Sequence, residues 1–245
     1  MFESWLDRLP KGHYSNNSMA PSLTSVHAHD FRNLYSSASE QAKTARRTRE
    51  WTIPTLQRLD VLSGRILSIG CASGVDVSTM RLHGYKAYGI DAYPACECAA
   101  KWCQVATATS IPFEDGAFDA ALMLEVIEHI PKSERHASAR ECMRVLKKGA
   151  PLIVATPNRL FPFDEHSDKF VRVHSPFRDD TVTVNELENL FHAQATTLTW
   201  RQYFEFKRFR AIGMVMIRIM PILDFSFVHR SPLNPHLFVA LKQRP

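Results

Sequence analysis

The amino-acid sequence predicts an α/β chain built on a doubly wound sheet, mostly parallel and covered by helices on both faces. Three observations predict it. Short apolar runs of strand length, Arg65–Ile69, Lys86–Ile90, Phe118–Leu124 and Pro151–Thr156, alternate with helix-length segments. The first run opens into a small-residue turn, Gly70–Gly74, and then a helix from Val75 to Leu82 closed by Gly84. An acid, Asp91, stands at the carboxyl end of the second run.

The turn and the acid belong together physically. A turn without bulky side chains lets backbone N–H groups and a helix N-terminus approach a ligand closely. A carboxylate at the tip of the neighbouring strand can accept both hydroxyl protons of a ribose. The acid falls about twenty residues after the turn, as in nucleotide-binding α/β sheets.

Taken in order, residues 1–35 read as a loosely ordered arm. Ser36 to Leu59 reads as helical, with Ile53, Leu56 and Leu59 at helical spacing and Pro54 expected to start or kink a segment. Lys43, Arg46, Arg47 and Arg49 give this segment a solvated positive face. After Asp91 a short helix is expected over Ala95 to Trp102 and a third strand over Gln104 to Ala108. Ile111–Gly116 is a loop before the fourth strand. A helix over Ser133 to Leu146 carries Ala139, Cys142, Val145 and Leu146 on one face and stops at Lys147-Lys148-Gly149. Residues 158–181 form a polar and aromatic insertion without periodicity. Thr183-Val-Asn-Glu186 is a capping box, with Val182 and Leu187 set for a hydrophobic staple, so a helix runs to about His192. Thr196 to Phe204 alternates as a strand and Leu237 to Leu241 is an apolar final strand.

At 245 residues, 45% of them apolar, the chain suits one α/β domain with a sizeable core. Its net charge of +5 is mild and its 30 basic residues are dispersed, so no nucleic-acid partner is expected. The five cysteines, 71, 96, 98, 103 and 142, lack the spacing of a zinc site and read as reduced thiols. Met1 to Asp7 has neither a basic leader region nor an apolar core. The Phe209 to Val228 segment is rich in Ile, Met and Phe but is interrupted by Arg218, Pro221 and Asp224, which argues against a membrane span. The expected location is the cytoplasm.

With these pieces in order, the chain resembles the class I S-adenosylmethionine-dependent methyltransferases, within the broad ubiquinone-biosynthesis-like group. The resemblance runs over roughly residues 60 to 200. It rests on Ile66-Leu-Ser-Ile-Gly-Cys-Ala-Ser-Gly74, Tyr88-Gly-Ile-Asp91, Ile111-Pro-Phe-Glu-Asp-Gly-Ala-Phe-Asp119, Glu125-Val-Ile-Glu-His129, Arg144-Val-Leu-Lys-Lys-Gly149 and Ala155-Thr-Pro-Asn158. It implies a Rossmann-like sheet of seven strands with the last one antiparallel. An N-terminal arm and helical lid would occupy residues 1–59, and the methyltransferase domain, with a C-terminal apolar extension, residues 60–245.

The resemblance further implies S-adenosylmethionine as cofactor and gives the site residues their roles. Ser68, Gly70, Cys71, Ala72 and Gly74 line the methionine and ribose end. Asp91 binds the ribose hydroxyls, Ala92 and Tyr93 flank the adenine, and Thr107, Ala108 and Thr109 meet its edge. Glu125 lies near the cofactor and the acceptor mouth. Ser68 stands where the family usually has an acid, Ala72 where it has a middle glycine, and Thr107 where an adenine-binding aspartate is common.

The expected reaction moves a methyl group to an oxygen, or less readily a nitrogen, of a small or lipid-linked metabolite. The methyl is already activated, so the protein mainly aligns the partners, with a base where the acceptor carries a proton. His129 is the candidate base, because imidazole titrates near neutrality, with Glu128 placed to orient it. Asp164, Glu165 and His166 follow the fifth strand and could meet a polar acceptor. Two other readings stand beside this one. The chain could be a cofactor-binding regulatory subunit without catalysis. Alternatively, Glu125, Glu128, His129 and a later histidine are similar to the metal site of small-RNA 2′-O-methyltransferases, although the preferred reading needs no metal. Lys207, Arg208, Arg210 and Arg218 among apolar residues leave a weak membrane-surface contact as an alternative to ordinary packing.

Overall fold

The computed structural model describes residues 37–92, 102–160, 180–198, 230 and 236–243. Seven strands form one sheet: β1 (Arg65–Ile69), β2 (Lys86–Asp91), β3 (Cys103–Val105), β4 (Ala120–Leu124), β5 (Leu152–Pro157), β6 (Ala193–Thr197) and β7 (His236–Gln243). Their order is β3-β2-β1-β4-β5-β7-β6. β1 to β5 pair in parallel, while β7 runs antiparallel to both β5 and β6. The fold is the Rossmann-like α/β arrangement expected, with its antiparallel last strand.

Helices cover both faces because each central strand is apolar on both. Leu67, Ile69, Ala121, Met123 and Val154 face one layer, where α4 (Arg135–Arg144) and α5 (Val184–Leu190) supply Ala139, Cys142, Val184 and Leu187. Ile66, Leu122, Ile153 and Phe238 face the other, where α3 (Val75–Leu82) supplies Val77 and Met80. α1 (Ala38–Arg47) and α2 (Ile53–Arg58) lead into that second layer, and the ring of Trp51 meets Phe238 edge-on at 5.3 Å. Fully burying a side chain such as Leu56 contributes roughly 1.5–3 kcal/mol, so this N-terminal segment is core as well as cover.

The expected elements recur with instructive shifts. Pro54 does start a new segment: a π-helical turn, Thr48–Thr52, joins α1 to α2 just before it, where the missing N–H of proline breaks the regular ladder. Arg46, Arg47 and Arg49 on this stretch are exposed, as expected of a solvated face, while Lys43 is half-buried and pairs with Glu40. The capping box at Thr183 forms, with Glu186 returning a bond to the Thr183 N–H at 2.8 Å. Val182 and Leu187 are buried in one cluster. β6 starts at Ala193, three residues before the expected strand, because Phe191 and a left-handed His192 turn the chain straight out of α5. β3 ends at Val105, where the Ala106 N–H still reaches the Asp91 carbonyl at 2.9 Å and Thr107–Ser110 then turns. The helix expected over Ala95 to Trp102, Trp102 itself excepted, and the apolar Phe209 to Val228 segment lie outside the described residues, and so does the arm before residue 37.

Arg144, at the end of α4, fastens the 111–115 loop to the helix. Its guanidinium donates to the carbonyls of Ile111 and Phe113 at 2.9 and 2.8 Å and to Glu141, whose carboxylate also accepts the Ile111 N–H. That loop carries the chain from the end of β3 into β4.

Candidate functional site

The strand order reverses between β1 and β4, since β1 is followed on one side by β2 and on the other by β4. Ligands in open α/β sheets bind in the crevice at such a switch point, beyond the carboxyl ends of the strands. Two segments flank it here: the Gly70–Gly74 bend after β1 and the Glu125–His129 segment after β4.

The bend is made of backbone bonds and left-handed residues. Gly70 and Cys71 both donate to the Ile90 carbonyl, at 2.8 and 3.1 Å, and the Gly74 N–H returns to Cys71 at 2.7 Å. Gly70, Ala72 and Gly74 have φ of 74°, 47° and 70°. A β-carbon on Gly70 would lie 2.4 Å from a methyl of Val126, so only glycine lets the bend sit against the segment after β4. Ala72 holds a conformation that an L-residue adopts at some cost. Its N–H points at the tip of β2 and donates to Asp91 Oδ2 at 2.7 Å.

Ser68 and Asp76 form a pair beneath the bend. Both are buried, and the Ser68 hydroxyl donates to Asp76 Oδ2. The other oxygen of Asp76 is buried without a hydrogen-bond partner among the described residues. Burial pushes the Asp76 carboxyl up to about 6, against the lowering effect of Ser68 and of the Val77 backbone. A carboxylate is thus present beside the position where Ser68 stands, but it is delivered from α3 and not from β1.

After β4, Glu125 takes a left-handed backbone, φ 58°, and its N–H donates to the Ala155 carbonyl at 2.8 Å. A 3₁₀ turn, Ile127–His129, follows. Glu125 meets His236, the first residue of β7, with Nε2 2.9 Å from Oε1 and 3.0 Å from Oε2. His236 is buried and its ring stacks on Phe238 at 4.8 Å. Glu128 accepts the Thr156 hydroxyl at 3.0 Å. Burial first, and then the charge of Glu125, hold the Glu128 carboxyl well above the usual carboxylate range, with His236 and Thr156 pulling the other way. His129 lies at the exposed end of the turn.

The structure therefore brings Ser68, Gly70, Cys71, Ala72, Gly74 and Asp91 together on one side of the crevice and Glu125, Glu128 and His129 on the other. Ala92 follows Asp91 and is exposed. Thr107, Ala108 and Thr109 follow β3 in the next loop, where the two threonine hydroxyls are 3.0 Å apart. Tyr93, Asp164, Glu165 and His166 lie outside the described residues. Among the described residues no group of three or more His, Cys, Asp or Glu side chains is arranged to hold a metal ion. His236 was not singled out from the sequence. Its one signal is a polar residue opening an otherwise apolar strand directly after Pro235.

Residues 67–154 match the family model described as a methyltransferase domain. Over that segment the chain is similar to the class I S-adenosylmethionine-dependent methyltransferases. The ubiquinone biosynthesis O-methyltransferase of Xanthomonas oryzae pv. oryzae is 29% identical over 113 residues, 42% of this chain and 46% of the relative. Its counterpart in Pseudomonas savastanoi pv. phaseolicola is 28% identical over 114 residues, 42% and 48% of the two chains. The matched segment spans about half the length of these curated relatives. Among solved structures, an S-adenosylmethionine-dependent methyltransferase from Thermotoga maritima superposes with a TM-score of 0.53 at 18% identity, over 88% of this chain and 99% of that one. A Haloferax volcanii methyltransferase in complex with its Trm112 activator gives 0.52 at 15%, over 88% and 98%. At these identities the structural likeness concerns the fold alone.

The residues of this site fit S-adenosylmethionine. The bend offers close backbone approach, and Asp91 places a carboxylate, an acceptor for two hydroxyl donors, at the tip of β2. Gly70 to Gly74 and Asp91 would hold the nucleoside, and the post-β4 segment would face its reactive end.

Proposed function

We propose that this domain transfers a methyl group from S-adenosylmethionine to a hydroxyl oxygen of a small or lipid-linked metabolite, in the cytoplasm. One observation carries the reading: the Ala72 N–H donates to the Asp91 carboxylate across the bend, which supports a ribose-binding role for that carboxylate at the tip of β2. When bound, the cofactor supplies a sulfonium-activated methyl that departs with its C–S electron pair left on sulfur. The protein's own work is alignment and removal of the acceptor's proton.

Oxygen is preferred over nitrogen as the accepting atom because a neutral hydroxyl needs a base, and the crevice wall opposite the bend carries carboxylates and imidazoles. The curated relatives are ubiquinone biosynthesis O-methyltransferases, which supports such an acceptor. Glu128 and His129 remain the residues assigned to this wall. His129, exposed at the end of the turn, is the proposed base, a role that its access to an incoming acceptor supports. Among the described residues no helix is long and apolar enough to cross a membrane.

The test is transfer of labelled methyl from S-adenosylmethionine into a metabolite and lipid extract, with the product separated and the methylated atom determined. A methyl ether supports the reading. Cofactor binding with no transfer to any fraction would favour a non-catalytic subunit. Activity that collapses with chelator and returns with a divalent ion would favour metal-assisted chemistry.

A further inference from the structure

Gly89, within β2, is the meeting point of two sulfurs that methyl transfer does not use. Its Cα partners are Ser68 in β1 and Cys103 in β3. Residues in register on neighbouring parallel strands point their side chains to the same face, so a glycine leaves an open place beside occupied ones. Cys103 fills it from β3, and Cys71 reaches it from the bend. A β-carbon built on Gly89 would lie 2.6 Å from Cys71 Sγ, 2.9 Å from Cys103 Sγ and 2.9 Å from a methyl of Val77. The two sulfurs are therefore closer together than the sum of the first two distances, over the backbone of one residue. Neither is in a disulfide.

The two thiols differ in access and in restraint. Cys71 is buried, whereas Cys103 is half-buried and is reached first from solvent. β2 and β3 are tied by their ladder, with Gly89, Ile90 and Asp91 in register with Cys103, Gln104 and Val105. Cys71 sits instead in a bend, held by the backbone bonds from Gly70 and Cys71 to Ile90 and from Gly74 to Cys71. A disulfide needs its sulfurs about 2.05 Å apart and its β-carbons roughly 3.5–4.5 Å apart. The final approach thus falls on the bend, whose next residue, Ala72, donates to Asp91.

Resting on the cofactor reading above for its consequence, we infer that Cys71 and Cys103 form a modification site, a thiol pair that hydrogen peroxide converts to a disulfide, and that the bridge weakens nucleoside binding by drawing the bend off Asp91. Peroxide first transfers one oxygen to the Cys103 sulfur, giving a sulfenic acid and one water. The Cys71 sulfur then attacks the Cys103 sulfur; the S–S bond forms, the S–O bond breaks, and the oxygen leaves as a second water with the Cys71 proton. Two thiols lose two electrons and two protons, and peroxide takes up both. A dithiol reverses the step by exchange. Disulfides of this kind in a reducing compartment are transient and serve as sensors.

The experiment uses the full chain. Reduced protein is treated with hydrogen peroxide, its remaining thiols are blocked with iodoacetamide in denaturant, and it is digested with trypsin. Cleavage after Lys and Arg places Cys71 in residues 66–81, Cys96 and Cys98 in 87–101, Cys103 in 102–132 and Cys142 in 141–144. Mass spectrometry should find 66–81 joined to 102–132, and dithiothreitol should part them. Calorimetric titration with S-adenosylhomocysteine should show the oxidised wild type binding roughly 10-fold or more weakly, the scale of one lost hydrogen bond to a charged group, with recovery in dithiothreitol. Cys103→Ser should bind as the reduced wild type does and be indifferent to peroxide. Cys103→Ala should behave alike, which guards against a fault of the serine alone.

Cys71 recovered as a blocked thiol after peroxide, or joined to Cys96, Cys98 or Cys142, overturns the inference. So does a Cys71–Cys103 bridge that leaves affinity unchanged, or a peroxide effect that persists in both Cys103 variants. A reduced wild type that does not bind S-adenosylhomocysteine sinks the methyl-transfer reading instead, and the peptide map then decides the thiol pair by itself.

Discussion

The Ala72 N–H donates to the Asp91 carboxylate at 2.7 Å, joining the bend after β1 to the tip of β2. The bond is made by a residue in the left-handed region, φ 47°, at a position where a glycine would reach the same conformation without a β-carbon. Local strain is therefore spent to aim one N–H at one carboxylate.

That strain is measurable. Ala72→Gly should stabilise the protein by about 1 kcal/mol, the cost of a left-handed L-residue, less the entropy glycine loses on folding. Affinity for S-adenosylhomocysteine should not fall. Urea denaturation with parallel calorimetry checks both, and a destabilised Ala72→Gly variant would show that the bend draws no strain from this residue.

Gly70 makes the opposite case. Gly70→Ala adds a β-carbon 2.4 Å from a Val126 methyl and imposes a left-handed alanine, φ 74°. A loss of about 1–3 kcal/mol in stability is expected, with weakened cofactor binding. Adding Val126→Ala should recover the steric part and leave the backbone part, which a double-mutant cycle separates.

Much of this was legible in the chain because it is local. Gly70 to Gly74, Asp91 at the end of β2 and the Thr183 capping box each depend on residues close in sequence, and each sits where expected. The sheet followed from alternating apolar runs. What escaped notice joins distant segments or depends on packing. Glu125 and His236 are 111 positions apart, and nothing near either one signals the other. Ser68 and Asp76 are only eight apart, yet their pairing depends on α3 folding back over β1. The early start of β6 reflects a left-handed His192, a residue with no glycine-like signature.

The buried Asp76 makes stability depend on pH in a stated direction. Its carboxyl moves from an ordinary 3.8 to about 6 in the folded chain, so the folded state holds a proton that the unfolded state releases. Stability then falls as pH rises from about 4 to about 6, by roughly 3 kcal/mol, and the penalty is complete above that window. Asp76→Asn should be more stable than the wild type at pH 8, with the gain shrinking as pH drops through 5. Denaturation curves at the two pH values decide it, and an equal gain at both would contradict the assignment.

Arg144 tests the scaffold. It binds two loop carbonyls and Glu141, while Glu141 accepts the Ile111 N–H. Arg144→Ala should cost about 1.5–3 kcal/mol, the range for hydrogen bonds to charged groups that are lost together. Arg144→Lys should recover little of it, because an ammonium cannot span the same set of acceptors. Thermal melts of the two variants provide the comparison.

The most direct test of the central claim is calorimetric titration of S-adenosylhomocysteine into the wild type and Asp91→Ala. Saturable one-site binding is expected in the wild type, and Asp91→Ala should weaken it roughly 10- to 100-fold, as loss of hydrogen bonds to a charged group implies. A wild type that binds no nucleoside, or an Asp91→Ala variant that binds it equally well, would contradict the claim that this carboxylate and bend form a cofactor site.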